Sequence, residues 1–271
     1  MIKKTDISAR KELTAIELSH LIAEQIAEAN LITTEFKSQY QSLFAHISEL
    51  SAAYNFSSDL KKGLELFIHR VLVAQVVNGV CPINVGMAIS KEKVIAACVK
   101  HNLEHRICQK FSGLPVKFDK DGVKFTATFF KSGKINVVGL SNDKPEYLNK
   151  VIQIIKEHQI DFFGVPLMDN STKRLANRVY AIKIPKLIDL SNLEIFNSLS
   201  TWKNIKYNSQ TFPGVRLKFE NFKSKALVFK TGSMILTGII SFDCKKKLLV
   251  ELSSCLAEYL SYSANINSGT I

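Results

Sequence analysis

Residues 101–105, His101-Asn102-Leu103-Glu104-His105, carry a spacing suited to bond-breaking chemistry. On a helix, His101 and His105 would share a face and hold Zn²⁺ while Glu104 serves as general base, as in a zinc peptidase. The motif falls near a predicted helix end, however, and no third ligand follows it in a helical context. The five cysteines (Cys81, Cys98, Cys108, Cys244, Cys255) form no CxxC pair and are odd in number, which disfavours a disulfide framework and a thiolate zinc site. No GxGxxG, P-loop or G-x-S-x-G run occurs, so nucleotide and acyl chemistry have no support, and no cofactor is expected. A second set of residues is aromatic. Phe111 and Phe130 lie 19 positions apart, Phe212 and Phe229 lie 17 apart, and the two pairs share similar neighbours. Any one of the 17 phenylalanines alone reads as core; two matching pairs require another reason.

Charge points to a polyanion. The chain of 271 residues has a formal net charge of +12, unevenly spread. Residues 1–66 hold 7 Lys/Arg against 9 Asp/Glu, and the remainder holds 29 against 15. A basic body behind a slightly acidic leader suits nucleic-acid binding with an appended module. At 46% hydrophobic residues the chain can bury a core. The N-terminus MIKKTDISARKEL has no apolar signal core, and no stretch approaches 18 uncharged apolar residues, so a soluble intracellular protein without a membrane span is expected. Richness in Phe, Ile, Asn and Lys suggests an AT-rich coding genome.

The elements that must position these residues form a repeat. Residues 8–54 read as helix, with a second stretch capped at Thr33–Thr34 and a third starting at Ser57 or Ser58. Val71–Val77 reads as a first strand, 90–101 as a helix, then Phe125–Phe130 and Lys134–Val138 as a hairpin around Ser132-Gly133, closed by a helix over 145–158. The second half runs in the same order: strand 179–184, helix 190–199, strands 215–219, 226–229 and 234–237, and helix 243–260. Phe130-Lys131-Ser132-Gly133-Lys134-Ile135 matches Phe229-Lys230-Thr231-Gly232-Ser233-Met234 at an offset of 99. Arg70-Val71 is paired with Arg178-Val179 at an offset of 108. A duplicated unit and a two-fold pseudo-symmetric molecule follow.

The segment Thr211-Phe212-Pro213-Gly214-Val215-Arg216-Leu217-Lys218, followed by Ala226–Phe229 and Lys230-Thr231-Gly232-Ser233-Met234-Ile235-Leu236-Thr237-Gly238, resembles the second repeat of the TATA-binding protein family. Gln109-Lys110-Phe111 and Phe130-Lys131-Ser132-Gly133-Lys134 resemble the first repeat more loosely, with a connecting turn (Asp119-Lys120-Asp121-Gly122) two residues longer. The resemblance covers about residues 67–262. It implies an α+β fold: a curved antiparallel saddle of two pseudo-symmetric repeats with helices on the convex side. The expected division is a helical N-terminal extension (1–66), repeat 1 (67–160) and repeat 2 (161–271).

The resemblance also implies a role for each residue. Phe111 with Phe130, and Phe212 with Phe229, would be wedges inserted into the minor groove of DNA, a use for which this family is the standard example. Val71, Val179, Leu227 and Ile235 would line the concave face, and Lys117, Lys134 and Lys218 would meet phosphates. Asn177 and Thr237 would serve the central base pairs, with His69 and Val138 in their places in repeat 1 and Asn136 at a position the family keeps apolar. A half without its small hydrogen-bonding pair should read A·T less strictly. The implied function is a non-enzymatic transcription initiation factor that binds and bends AT-rich promoter DNA. Its implied partners are a transcription factor B-like protein and RNA polymerase, in the nucleus or, for a viral protein, at a cytoplasmic replication site. Ser209-Gln210-Thr211 replaces the family's acidic-leucine pair, which alters the surface used for factor B. A saddle scaffold that binds only transcription proteins is the alternative, along with the zinc peptidase.

Overall fold

The structure is a computed structural model that describes residues 14–167, 174–199, 205–219 and 223–267. Residues 8–13 of the expected leader helix lie outside these. Among the described residues four helices precede the first strand: α1 (Ala15–Asn30), α2 (Thr34–Gln39), α3 (Gln41–Ala53) and α4 (Ser58–Val73). The Thr14, Thr33 and Ser57 side chains accept hydrogen bonds from the Glu17, Phe36 and Leu60 amides, and so cap α1, α2 and α4. The expected strand over Val71–Val77 is corrected here. Helix α4 runs through Val73, and the first strand, β1, spans Val76–Asn84. A short β-branched run cannot be told from a buried helix segment by periodicity alone. Val71 belongs to a helical apolar face with Leu64, Phe67 and Ile68, all fully buried.

After β1 come α5 (Lys91–Lys100), β2 (Leu114–Lys120), β3 (Val123–Phe129), β4 (Lys134–Leu140), α6 (Pro145–Lys156) and α7 (Gln159–Phe163). The second half has β5 (Asn177–Lys183), a 3-10 turn (Leu193–Ser198), β6 (Ile205–Asn208), β7 (Phe212–Lys218), β8 (Lys225–Phe229), β9 (Ser233–Ile239) and α8 (Phe242–Asn267). The strands form one nine-stranded sheet in the order β2-β3-β4-β1-β5-β9-β8-β7-β6, and every neighbouring pair is antiparallel. At its middle Asn78 faces Val179 and Val80 faces Asn177. An offset of 99 carries each member of this pairing onto the other, so the join is a self-complementary contact on a local two-fold axis. The halves differ at their outer edges. Repeat 2 has β6, whereas the same place in repeat 1 holds a single bridge between His105 and Val116.

Alternate strand residues are buried on the side that carries the helices: Cys81 and Ile83 on β1, Ile135 and Val137 on β4, Val228 on β8, Met234 and Leu236 on β9. Behind repeat 1, Phe162 of α7 packs edge-on against Phe118 and tilted against Phe129. Helix α6 buries one stripe (Leu148, Val151, Ile152, Ile154, Ile155) and keeps Glu146, Asn149, Lys150 and Gln153 in water. Helix α8, in the equivalent place, is buried almost all round: Leu248, Leu249, Leu252, Ser253, Cys255, Leu256, Ala257, Tyr259 and Leu260. Its second surface is covered by the N-terminal helices, with α3 and α4 both packed on it. His46 of α3 shares a 3.0 Å hydrogen bond with Ser254. Lys245 of α8 donates at 3.2 Å to the Leu72 and Ala74 carbonyls at the end of α4, with its ammonium 4.1 Å from the Tyr180 ring centre. Burial pulls the pKa of that ammonium down to about 8. Arg70 of α4 pairs with Glu28 of α1 and donates to the Lys183 carbonyl at the end of β5.

Candidate nucleic-acid interface

Among the described residues no helix covers the opposite face of the sheet, and its side chains are the other alternate set. Phe130 follows the end of β3, and its ring meets that of Phe111 at 5.9 Å between centroids, nearly perpendicular. Phe212 opens β7 and meets Phe229, the last residue of β8, at 5.7 Å. Phe111 is 44% exposed, a large solvated ring on a surface loop. Each pair rests on a glycine. A Cβ on Gly113 would lie 2.8 Å from Phe111 and 2.9 Å from Phe130, and one on Gly214 would lie 2.9 Å from both Phe212 and Phe229. No other residue lets the rings settle so close to the sheet. The longer repeat-1 turn is also present: Lys117 faces Thr126 where Lys218 faces Lys225, so the segment between the paired residues is two residues longer in repeat 1. In repeat 2 the Arg216 guanidinium lies 4.4 Å from the Phe212 ring centre.

At the centre the structure corrects two expected residues. His69 and Val71 lie on α4, not on a strand. Val71 is fully buried, and the His69 ring packs edge-on against Phe36, where burial lowers its pKa. Neither reaches the open face. The repeat-1 counterpart of Asn177 is Asn78. The Asn177 carbonyl oxygen accepts from the Gly238 amide at 2.8 Å, and that of Asn78 accepts from the Gly139 amide at 2.9 Å. Gly139 (φ 86°) and Gly238 (φ 80°) are both left-handed, which turns these amides toward the asparagines. With each Oδ1 engaged, each amide NH₂ remains as donor. Val80 likewise stands where Val179 stands, both half-buried on the open face. The 99-residue offset of the hairpin match leads from Asn177 to Asn78, whereas the Arg-Val pairing at 108 is a coincidence of composition. Val138 and Thr237 remain an unlike pair, as do Asn136 (exposed) and Ile235 (half-buried). Leu227 faces Ile235 across β8 and β9.

The lysines separate the halves further. Lys117 is held by Glu104 at 2.6 Å and Lys124 by Asp119 at 2.7 Å, so acids occupy the repeat-1 flank. In repeat 2, Lys218 and Lys225 are opposite each other, two like charges side by side. Lys134 is exposed at the start of β4. The residues of the zinc-peptidase alternative are dispersed into structural roles. Helix α5 ends at Lys100, and Asn102 is left-handed (φ 52°), so His101 and His105 are not on one helical face. His101 bonds Asp161 at 2.7 Å, Glu104 bonds Lys117, and His105 lies in the edge bridge. Among the described residues no group of three His, Cys, Asp or Glu side chains could hold a metal ion, and no helix is long and apolar enough to cross a membrane.

Residues 172–259 match the profile of the family described as "Transcription factor TFIID (or TATA-binding protein, TBP)". A TATA-box-binding protein of Methanococcus maripaludis is 29% identical over 190 residues, covering 66% of this chain and 94% of its own length. That of Pyrococcus horikoshii is 28% identical over 183 residues, covering 65% and 87%. These matches support a divergent protein of the TATA-binding protein family. Methanococcus jannaschii TBP, 24% identical, superposes with a TM-score of 0.53 over 68% of this chain and 98% of its own, and shares its fold. The sheet with its helices is thus the α+β TBP saddle. The profile match falls within the second half, where the Phe-Pro-Gly run stands; the first half is the more divergent one.

Proposed function

We propose that the protein binds double-stranded, AT-rich promoter DNA through its open face, enters the minor groove, and bends the duplex by inserting Phe111 with Phe130 at one end and Phe212 with Phe229 at the other. The observation that carries this reading is the pair of aromatic wedges at matched places in the two halves, each seated on a glycine. The solvated Phe111 ring and the half-buried Phe130, Phe212 and Phe229 rings leave aromatic surface open at the two ends of a curved sheet, where it fits unstacked base steps. The amide donors of Asn78 and Asn177 suit the acceptors that A·T pairs show in that groove. Val80, Val179, Leu227 and Ile235 would press on sugars and base edges, while Lys134, Lys218 and Lys117, once released from Glu104, would meet phosphates.

In this reading the chain is a helical module followed by two saddle repeats, with the first boundary at the α4–β1 junction, and it works where transcription takes place, the nucleus or a cytoplasmic viral replication site. A factor B-like protein and RNA polymerase are the proposed partners, with Ser209-Gln210-Thr211 marking a changed contact. Fluorescence measurement of binding and bend angle on TATA-containing and scrambled duplexes tests it. Phe212→Ala and Phe229→Ala should each weaken binding by about 2 kcal/mol, the scale of a hot-spot residue, and reduce the bend. Unchanged affinity and bend in both variants would overturn the wedge assignment.

A further inference from the structure

Between the centre of the open face and its wedges, the two halves differ in kind. In repeat 2 one row across the strands reads Leu227, Ile235, Ala181, all apolar. The same row in repeat 1 reads Thr128, Asn136, Pro82. Asn136 is exposed on the open face, with Ile135 and Val137 on either side of it buried toward the helices. Along β4 it lies between Val138, beside the centre, and Lys134, whose carbonyl accepts from the amide of the wedge Phe130. A base pair opposite this row would be neither the central step nor the wedged one.

The minor groove shows acceptors on every base pair, and G·C alone adds a donor, the guanine N2 amine. Against an apolar row that amine loses its water and gains no partner, which lowers affinity roughly tenfold or more per base pair. An asparagine amide can do either of two things. Its Oδ1 accepts from the guanine amine, and its Nδ2 donates to the acceptors of an A·T pair.

We propose that Asn136 makes repeat 1 accept a G·C pair at the step between centre and wedge, while Ile235 holds repeat 2 to A·T at the equivalent step. This rests on the DNA-binding reading above and adds to it an unequal site: A·T throughout one half, A·T or G·C at one step of the other.

The test uses the full chain and three duplexes: all A·T over the site, G·C at the intermediate step of one half, and G·C at that step of both halves. A pseudo-symmetric protein can bind in either direction, and this panel needs no knowledge of which. Wild type should bind the first two within about threefold, since it turns repeat 1 over the G·C pair, and should lose roughly tenfold or more on the third. Asn136→Ile should incur that loss already with one G·C pair. Ile235→Asn should tolerate G·C in both halves. Melting temperatures equal to wild type confirm that both surface variants are folded. A tenfold loss by wild type on the single-G·C duplex, or indifference of Asn136→Ile to it, overturns the inference while leaving DNA binding intact. Failure of wild type to bind any of the duplexes overturns the DNA-binding reading and this inference with it.

Discussion

Helices α6 and α8 occupy equivalent places behind equivalent halves of one sheet, yet they answer to different surroundings. The first shows water a polar side built of Glu146, Asn149, Lys150 and Gln153; the second shows water little, because α3 and α4 lie on it. On the front the contrast is milder. Both aromatic pairs, both glycine seats and both asparagines are retained, while Val138 and Asn136 depart from Thr237 and Ile235. A duplicated unit thus keeps what the two halves must do alike and diverges where they meet different neighbours. The back of repeat 2 meets its own chain; the front of each repeat, on the reading proposed, meets a similar base sequence.

The contrast between the backs can be broken most severely. Ala257→Glu on α8 places an unpaired charge in a fully buried site and should cost about 4 kcal/mol or more, whereas Gln153→Glu on α6 should stay within about 0.5 kcal/mol. Denaturant unfolding of the two variants measures the difference, and similar losses would mean that α8 is no more enclosed than α6. Next come the seats. Gly113→Ala drives a methyl into Thr128 and the Phe111 and Phe130 rings, Gly214→Ala one into the Phe212 and Phe229 rings, and each should cost about 1–3 kcal/mol of stability and reduce the bend. A loss confined to Gly214→Ala would show that only the second wedge is formed as described.

The centre gives smaller effects. Asn78→Ala and Asn177→Ala should weaken binding equally, by about 1–2 kcal/mol, since each removes a donor and frees one glycine amide. Thr237→Val should cost about 1 kcal/mol and Val138→Thr recover a similar amount, read by competition on an all-A·T duplex. The last effect is a slope. Lys245 titrates near 8 in the fold against 10.5 in its ordinary state, so between those values the unfolded chain binds more protons and stability rises with pH. Lys245→Met should flatten that rise in thermal melts from pH 7.5 to pH 10, and an unchanged slope would place the ammonium in water.

Most of the open face was legible because it depends on residues that punctuate: Phe-Pro-Gly, the Ser-Gly and Thr-Gly turns, and strands of strict alternation. The placement of the four phenylalanines and the two-residue difference between hairpins followed from matched spacing, whereas Asn177 came only with the resemblance to the TATA-binding protein family. The first strand could not. Val71-Leu72-Val73 satisfies helix and strand equally, and tertiary burial against the N-terminal helices decided for the helix. That displacement hid Asn78 and Val80 and put His69 in their place. Gly113 was invisible for another reason. Its role is defined by rings that come to it from positions 111 and 130, and no local pattern encodes a seat. Four residues are enough for β6, and their periodicity is too short to register.

The covering of α8 by its own N-terminal helices has a consequence for direction. Rotating the molecule half a turn about its local axis nearly restores the front but exchanges a bare back for a covered one. A duplex with similar halves would admit the saddle either way round, and the front alone would mark weakly which end is which. The back marks it strongly. A competitor for the covered side faces a tethered segment at an effective concentration in the millimolar range, while the bare side is open to any passing protein. On the DNA-binding reading proposed, a near-symmetric clamp thereby acquires a left and a right, which is what a process that must proceed one way along a double helix requires of a protein that marks its start.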